Sequence, residues 1–424
     1  MYNRPFSLKR ASGRGLSRMW YLRNKMVIFA EIEIHRGMNK VFLFLLSVLL
    51  VGCRSVLSVG MDEPVVDVTK IPKKIFSGNR DRFHVQGIAV DLKRGYIYFS
   101  FTTELLKMDL QGNLIGSVTG LTGHLGCLSL HPEDGRLYGS LEYKNDVIGK
   151  GIDDRQEAGR RSAFYVAIFD VDRITRPEMD AEKDGVMTTV FLKEPTEDYY
   201  AWVENGRKRV EHRFGCSGID GTTFAPEFGK RKDGKYLLYV AYGIYDDKTR
   251  TDNDYQVILA YDTRGWKGYE RVLSQKELHT SGPTEPLHKY FVRTGNTTYG
   301  IQNLAYDPAS GNCFAAVYSG KKSAYPNYTL FVIDGSRKAR REKLQGFDLK
   351  EEGEVLSLLP QGRYDVSSDT WGWNFEWGAT GLCPLGDGYF YISHNGVSDD
   401  KKQNSTVYLY RWTGDKDQPF ELVK

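Results

Sequence analysis

The chain has 424 residues, more than one average domain needs, yet a length that a large closed β architecture often reaches. Aromatic residues make up 13% of it and glycines number 44, a composition typical of many short strands joined by turns. Residues 1–52 hold nine Lys or Arg against Glu31 and Glu33, a net of +7, so the overall +4 becomes about −3 without them. This near-neutral remainder excludes the basic footprint of a nucleic-acid-binding protein.

The N-terminal region has the layout of a leader. Residues 1–37 are basic and irregular, and we interpret them as an over-extended gene start that ends at Met38. Residues 38–52 contain a lysine, an apolar run of about a dozen residues and small residues, as a secretory signal does. Leu50-Val51-Gly52-Cys53 resembles a bacterial lipobox, which implies that Cys53 is lipidated. Since no acidic cluster follows Cys53, we expect an outer-membrane anchor that faces the periplasm rather than surface display.

A repeated pattern organises the rest of the chain. Residues 53–80 are predicted to be a tether that could supply a closing strand, and residues 81–424 a single domain. The copies of the pattern are His84-Val-Gln-Gly-Ile-Ala-Val-Asp-Leu, His124-Leu-Gly-Cys-Leu-Ser-Leu-His-Pro, Gly218-Ile-Asp-Gly-Thr-Thr-Phe-Ala-Pro, Gly300-Ile-Gln-Asn-Leu-Ala-Tyr-Asp-Pro and Gly378-Ala-Thr-Gly-Leu-Cys-Pro-Leu-Gly. Three further strand-like segments follow each copy. Four strands per unit indicate an all-β fold, a β-propeller.

We predict five four-stranded blades, in chain order. The predicted strands are 84–89, 96–101, 105–110 and 114–118; 125–130, 136–141, 164–171 and 187–192; 221–224, 236–242, 255–261 and 269–273; 301–306, 313–318, 328–333 and 354–359; 381–385, 389–393, 406–412 and 420–423. Six blades are the alternative, with a divergent sixth in 62–79 or 199–213.

The first unit also resembles a known group. Gly87-Ile-Ala-Val-Asp followed by Gly95-Tyr-Ile-Tyr-Phe is similar to the secreted gluconolactonase-like, NHL-like and TolB-like propellers. Because hydrolases, lyases and binding scaffolds share this fold, the likeness implies little about function. Gluconolactonase-like enzymes hold a divalent cation through carboxylate and amide oxygens. The resemblance therefore implies a possible cation near Asp220, Gln302 and Asn303, although their low charge does not suit tight calcium binding.

Aligning the copies brings polar residues together. One position is occupied by Gln86, Gly126, Asp220, Gln302 and Thr380, and the position two residues earlier by His84, His124, Gly218, Gly300 and Gly378. Side chains two apart in a strand point the same way, so these positions are predicted to form two rings around the propeller axis. Convergent polar groups on an apolar scaffold favour a ligand site. The alternative is the ordinary polar lining of a water-filled channel.

Three ring residues are candidates for chemistry. Asp220, His84 and His124 are the predicted catalytic groups. Since Asp220 is the only ring carboxylate, a two-carboxylate glycosidase site would need a second acid from elsewhere. Glu376 and Glu142 are the nearest candidates for that acid.

Two aromatic clusters complete the prediction. Trp371 to Trp377 precedes the fifth copy, and Tyr199-Tyr200-Ala-Trp202 lies in an insert. Flat aromatic faces suit sugar rings, but they equally suit blade packing, and both interpretations stay open. The candidate ligand-binding residues are Gln86, Gln302, Asn303, Thr380, Glu376, Trp377 and Trp373.

The sequence thus favours a lipid-anchored envelope propeller that binds or processes a carbohydrate at its axis. A TolB-like protein-interaction scaffold and a metal-dependent lactonase or phosphoesterase are the alternatives. Cys127, Cys216, Cys313 and Cys383 lack CxxC spacing and are expected to be buried thiols, while any disulfide pairing stays open.

Overall fold

The computed structural model describes residues 67–153, 161–230, 235–295, 297–347 and 351–424. The predicted gene start, the signal peptide, Cys53 and the first part of the tether lie outside these residues. Val66–Lys424 forms one compact unit. Within the described ranges, no helix has the length and apolar character needed to cross a bilayer.

Short strands make up most of this unit, in chain order as follows. The first half contains β1 (Lys74–Phe76), β2 (Val85–Asp91), β3 (Tyr96–Phe101), β4 (Glu104–Asp109), β5 (Leu114–Thr119), β6 (His124–Leu130), β7 (Leu137–Tyr143), α1 (Val147–Ile152), β8 (Ala163–Phe169), β9 (Met179–Asp180), β10 (Met187–Phe191), α2 (Lys193–Tyr200), β11 (Trp202–Asn205) and β12 (Lys208–Glu211).

The second half continues the pattern of hairpins. It contains β13 (Cys216–Pro226), β14 (Tyr236–Ile244), β15 (Tyr255–Tyr261), β16 (His288–Arg293), β17 (Thr298–Asp307), β18 (Asn312–Tyr318), β19 (Leu330–Ile333), β20 (Arg340–Lys343), β21 (Glu352–Val355), β22 (Arg363–Asp365), β23 (Thr370–Gly372), β24 (Leu382–Gly386), β25 (Tyr389–Val397), β26 (Gln403–Trp412) and β27 (Phe420–Leu422).

These strands form five blades around one axis. The blades are β2-β3-β4-β5, β6-β7-β8-β10, β13-β14-β15-β16, β17-β18-β19 and β24-β25-β26. The first strands touch one another in a closed cycle, β2 to β6 to β13 to β17 to β24 and back to β2. The chain is therefore a five-bladed β-propeller, as the repeat predicts. Neither segment considered for a sixth blade forms one within the described residues: 67–79 supplies β1, and 199–213 supplies the β11–β12 hairpin.

Blade 5 is completed from both ends of the described chain. β1 and β27 pair antiparallel with successive parts of the same strand, β26. Ile75 of β1 is buried in the cluster between blades 5 and 1, whereas its neighbour Phe76 is 45% exposed. The strand that closes the ring therefore lies at 74–76.

The hydrophobic core is divided among the blade interfaces. Five clusters of buried residues each combine side chains from two neighbouring blades, and together they follow the ring. Strands in the middle of a blade are packed on both faces, so all seven residues of β8 are buried. This explains why the strands read as continuous apolar runs rather than alternating ones. The four cysteines of the described residues are free thiols, three of them buried and Cys383 half-buried.

Two predicted fourth strands are wrong. Residues 269–273 follow a 3-10 turn that buries Trp266, and Arg271 makes an isolated bridge to Thr189 of blade 2. The fourth strand of blade 3 is instead β16. Residues 354–359 are divided: β21 pairs parallel with β16 in blade 3, and Leu358 bridges Ile333 of blade 4. Tertiary packing outweighs local strand propensity at both places.

Candidate functional site

A cavity of about 520 Å³ opens at the end of the axis where the first strands begin. The residues that line it come from blades 1 to 4 and from the segments that follow their strands. Five residues predicted for the polar rings are among them: His84, Gln86, His124, Asp220 and Gln302. The structure thus brings the three predicted catalytic residues into one pocket, which we call the axial pocket.

Asp220 lies deep in the axial pocket. A bulge in the pairing of β13 with β14 carries it toward the neighbouring blade. Its Oδ1 accepts a hydrogen bond from the Cys127 amide at 3.3 Å, and a Cβ on Gly126 would collide with the same oxygen. The glycine at this ring position therefore makes room for the Asp220 carboxyl group.

Glu142 supplies the second carboxyl group. It lies opposite His124 in the pairing of β6 with β7. Its Oε1 accepts a hydrogen bond from the Ile219 amide at 2.5 Å, and its Oε2 lies 2.9 Å from Lys144 Nζ. A Cβ on Gly218 would collide with Oε1, so the glycine of blade 3 leaves the space that this side chain of blade 2 fills.

The pKa values of the two carboxyl groups are displaced in opposite directions. Burial raises the pKa of Asp220 to about 7, helped by the charge of Glu142 and opposed by His124. Burial acts on Glu142 in the same direction, but the Lys144 ammonium and His124 outweigh it and hold the Glu142 pKa below its usual value. At neutral pH Glu142 is therefore ionised, and Asp220 carries a proton about half of the time.

Two imidazole rings, those of His84 and His124, complete the polar part of the axial pocket. Burial, together with the nearby His124, lowers the pKa of His84, so its imidazole is uncharged at neutral pH. His84 Nε2 lies 3.4 Å from Gln86 Nε2, which itself donates to Thr102 Oγ1 at 2.9 Å. His124 Nδ1 is buried 3.4 Å from Glu142 Oε2, and within the described residues it has no hydrogen-bond partner.

Two further residues predicted to bind ligand, Asn303 and Thr380, instead contact backbone groups inside the propeller. Asn303 is fully buried, and its Nδ2 donates to the carbonyl oxygens of Gln86 and Ala379, both at 2.9 Å. It thereby ties blade 4 to blades 1 and 5. Thr380 is also buried, and its hydroxyl faces the carbonyl oxygen of Ser393 at 3.4 Å. Neither side chain lines the axial pocket.

The aromatic cluster of blade 5 lies away from the axial pocket. Trp373 is fully buried, and its Nε1 donates to the Asp415 carbonyl at 3.0 Å. Trp377 stacks on His394 with ring centroids 3.8 Å apart, and Glu376 is exposed. The structure does not bring these three candidates to the predicted site, and Trp373 has the core-packing role.

The aromatic insert before blade 3 is also outside the pocket. Tyr199 is buried at the end of α2 and meets Phe164 edge-on at 5.4 Å, while Trp202 is 52% exposed on the β11–β12 hairpin.

Among the residues of the axial pocket that sequence reasoning missed, four have side chains suited to ligand contact: Lys144, Tyr299, Tyr318 and Lys321. A signal existed for one of them, because Lys144 is two residues beyond Glu142 and the period of a strand places both on one face. The other three follow from loop and bulge geometry that the repeat does not encode.

No three His, Cys, Asp or Glu side chains of the described ranges converge as a metal-binding group. Asp220, Gln302 and Asn303 do not form a common ligand set, since Asn303 is engaged by the backbone of other blades. The predicted cation therefore stays a prediction.

No protein-family model matches the chain, and no curated protein matches it. Among solved structures, the chain is similar to the Dos1 propeller, with 14% identity over 81% of this chain and 82% of that chain and a TM-score of 0.32. It is similar to a Cellvibrio cellulosa α-L-arabinanase complexed with arabinohexaose, with 11% identity over 81% of this chain and 95% of that chain and a TM-score of 0.37. It is also similar to a GH43 β-1,3-galactosidase with galactodeoxynojirimycin, with 13% identity over 80% of this chain and 95% of that chain and a TM-score of 0.37. These low scores carry no functional argument, and the fold assignment rests on the strand pairing.

The Glu142–Lys144 pair yields a stability prediction. Lys144→Met leaves a buried carboxylate without its cation, so we expect the free energy of unfolding to fall by about 3–5 kcal/mol in urea denaturation. Adding Glu142→Gln should recover most of this loss. As a control, Lys193→Met removes an exposed pair with Glu197 and should cost less than about 1 kcal/mol. Equal losses of unfolding free energy in Lys144→Met and Lys193→Met would contradict the claim that Glu142 and Lys144 form a buried ion pair.

Proposed function

We propose that the axial pocket binds a neutral carbohydrate. The observation that carries the proposal is the convergence of His84, His124, Glu142 and Asp220 in one concave site of about 520 Å³. Pockets of this volume accept small ligands, and a few convergent polar groups give them specificity. A sugar presents many hydroxyl groups, each of which can both donate and accept. The pocket offers a protonated acid, a carboxylate, an imidazole and an amide as their partners.

The charge balance of the pocket favours a neutral ligand. Glu142 and Lys144 compensate each other, and His84 is uncharged at neutral pH. Lys321 at the rim is paired with Asp246. No unpaired cation therefore remains among these groups to attract a phosphate or a carboxylate ligand, which are normally bound by charge-assisted hydrogen bonds.

The same site has the elements of acid catalysis. Two carboxyl groups whose pKa values are displaced in opposite directions are the usual basis for dividing acid and base roles. Asp220 near pH 7 has a proton to donate to a leaving oxygen. Glu142 has both oxygens engaged, by the Ile219 amide and by Lys144, and so fits the role of a fixed negative charge rather than that of a nucleophile. We propose that Asp220 donates its proton to the leaving glycosidic oxygen as the bond from that oxygen to the anomeric carbon breaks, while a water molecule bonds to the carbon through its oxygen and returns one proton to the Asp220 carboxylate.

A panel of neutral oligosaccharides of glucose, galactose, mannose, xylose and arabinose tests the function. We expect at least one to raise the melting temperature of the wild-type protein, because a ligand that binds the native state stabilises it. Asp220→Ala should abolish this shift, and Asp220→Asn should abolish any hydrolysis seen by chromatography. Asp172→Asn, at a side chain that is 69% exposed, is the matched control and should behave as wild type.

Two results would contradict this proposal. An equal rise in melting temperature for the wild type and Asp220→Ala would show that the ligand binds outside the axial pocket. The absence of any shift, with a protein partner recovered from envelope extracts, would favour the TolB-like scaffold.

We further propose that the protein is anchored through lipid on Cys53, on the basis of the Leu50-Val51-Gly52-Cys53 motif. In bacterial cells given labelled palmitate, we expect the wild-type protein to take up label and to sediment with membranes, and Cys53→Ala to do neither. Cys383→Ala, which removes a thiol of the propeller, should keep both properties. Label on the Cys53→Ala protein would contradict the anchor.

A further inference from the structure

Tyr299 combines two unusual properties at the mouth of the axial pocket. Its φ is 66°, in the left-handed region that aromatic residues rarely adopt. Its side chain is nevertheless 46% exposed, and none of the core clusters in the described ranges includes it. Packing in the core therefore does not account for a strained backbone at this position.

A bulge fixes the direction of this side chain. β17 pairs with β18 through Thr298 with Tyr318 and then through Ile301 with Val317, so Tyr299 and Gly300 are inserted into the strand. Gly300 has a φ of 79°, and a Cβ there would collide with the carbonyl oxygen of Tyr242. Bulges of this kind commonly redirect side chains next to functional sites.

The ring residue Gln302 supports the bulge. Its Nε2 donates to the carbonyl oxygen of Tyr299 at 3.2 Å. One of the polar residues predicted to bind ligand thus also holds the backbone that presents the tyrosine. The strain at Tyr299 is maintained by its surroundings and is not the result of a loose loop.

A second tyrosine packs against the exposed ring of Tyr299. Tyr318 meets it edge-on, with centroids 6.2 Å apart and ring planes at 87°. Both tyrosines line the axial pocket together with Asp220. Burial, followed by the charge of Asp220, raises the pKa of Tyr318 to about 12, so its hydroxyl stays protonated beside that carboxyl group. An aromatic wall therefore adjoins the acid.

We propose that Tyr299 is the stacking platform of the axial pocket, whose ring takes the apolar CH face of one sugar residue and directs its polar edge toward Asp220. This inference rests on the proposed carbohydrate function and adds the residue that orients the ligand. Tyrosine suits the role because it offers a large rigid face at a small cost in side-chain entropy. Strained residues of this kind are retained where surrounding structure fixes them for binding.

The test separates the contribution of the Tyr299 ring from that of its left-handed backbone conformation. Asn tolerates the left-handed region, so Tyr299→Asn removes the ring while keeping the bulge. With the neutral oligosaccharide that most stabilises the wild type, we expect calorimetry to show at least about a tenfold loss of affinity, as for the removal of a main aromatic contact. The melting temperature without sugar should be unchanged or higher. Tyr299→Trp should bind as wild type does, with a tryptophan fluorescence change on adding that sugar.

The control is Tyr364→Asn, which removes an equally exposed tyrosine (43%) from the β22–β23 hairpin and should leave affinity unchanged. Wild-type affinity in Tyr299→Asn would overturn the platform while leaving the pocket proposal intact, provided that Asp220→Ala loses binding. Loss of binding in a folded Tyr299→Trp would also overturn it. If no oligosaccharide of the panel stabilises the wild type, the platform and the proposed function fail together.

Discussion

The constraint on which the rest of this structure depends is the meeting of five first strands around one axis. Side chains from different blades crowd into a space where buried polar groups must find partners. Asn303 satisfies this requirement by donating to the backbone of blades 1 and 5. Gly126 leaves room for the Asp220 carboxyl group, which accepts its hydrogen bond from the Cys127 amide. The blades can pack into a closed ring only because these central contacts are compatible.

The axial pocket follows from an asymmetry in that ring. At the outer of the two ring positions, blades 1 and 2 carry histidines, whereas blade 3 carries Gly218. The carboxylate of Glu142 fills the space that this glycine leaves, and it forms an ion pair with Lys144. Lys144 keeps Glu142 ionised, so Asp220 is buried near a charge of its own sign. The low-dielectric surroundings then favour the protonated form of Asp220. Gly218 of β13 thus admits the carboxylate that helps burial to raise the pKa of Asp220 in the same strand.

The repeat predicts the number of blades and the register of the axial residues. His84, His124 and Asp220 were brought together by alignment of the copies alone, because every first strand meets the axis in the same register. Glu142 was foreseen only as one of two possible second acids, because it belongs to a second strand and reaches the axis through the gap at Gly218. Tyr299 could not be foreseen, since a bulge of two residues changes the direction of side chains without leaving a periodic signal.

Prediction also failed where long connections cross between blades. The segment after β15 contains a strand-like stretch at 269–273, but burial of Trp266 and the bridge from Arg271 to Thr189 hold it against blade 2. In blade 5, tryptophans suited to sugars were equally suited to packing, and Trp373 is fully enclosed. Composition cannot separate these roles, because both use the same apolar faces.

The central claim is that burial beside the ionised Glu142 raises the pKa of Asp220 far above that of an ordinary aspartate, and a carboxyl titration tests it most directly. In protein carrying 13C-labelled aspartate carboxyl groups, NMR should show one aspartate that titrates near pH 7, and Asp220→Asn should remove that signal alone. Titration of every aspartate below about pH 5, as in ordinary solvated carboxyl groups, would contradict the account.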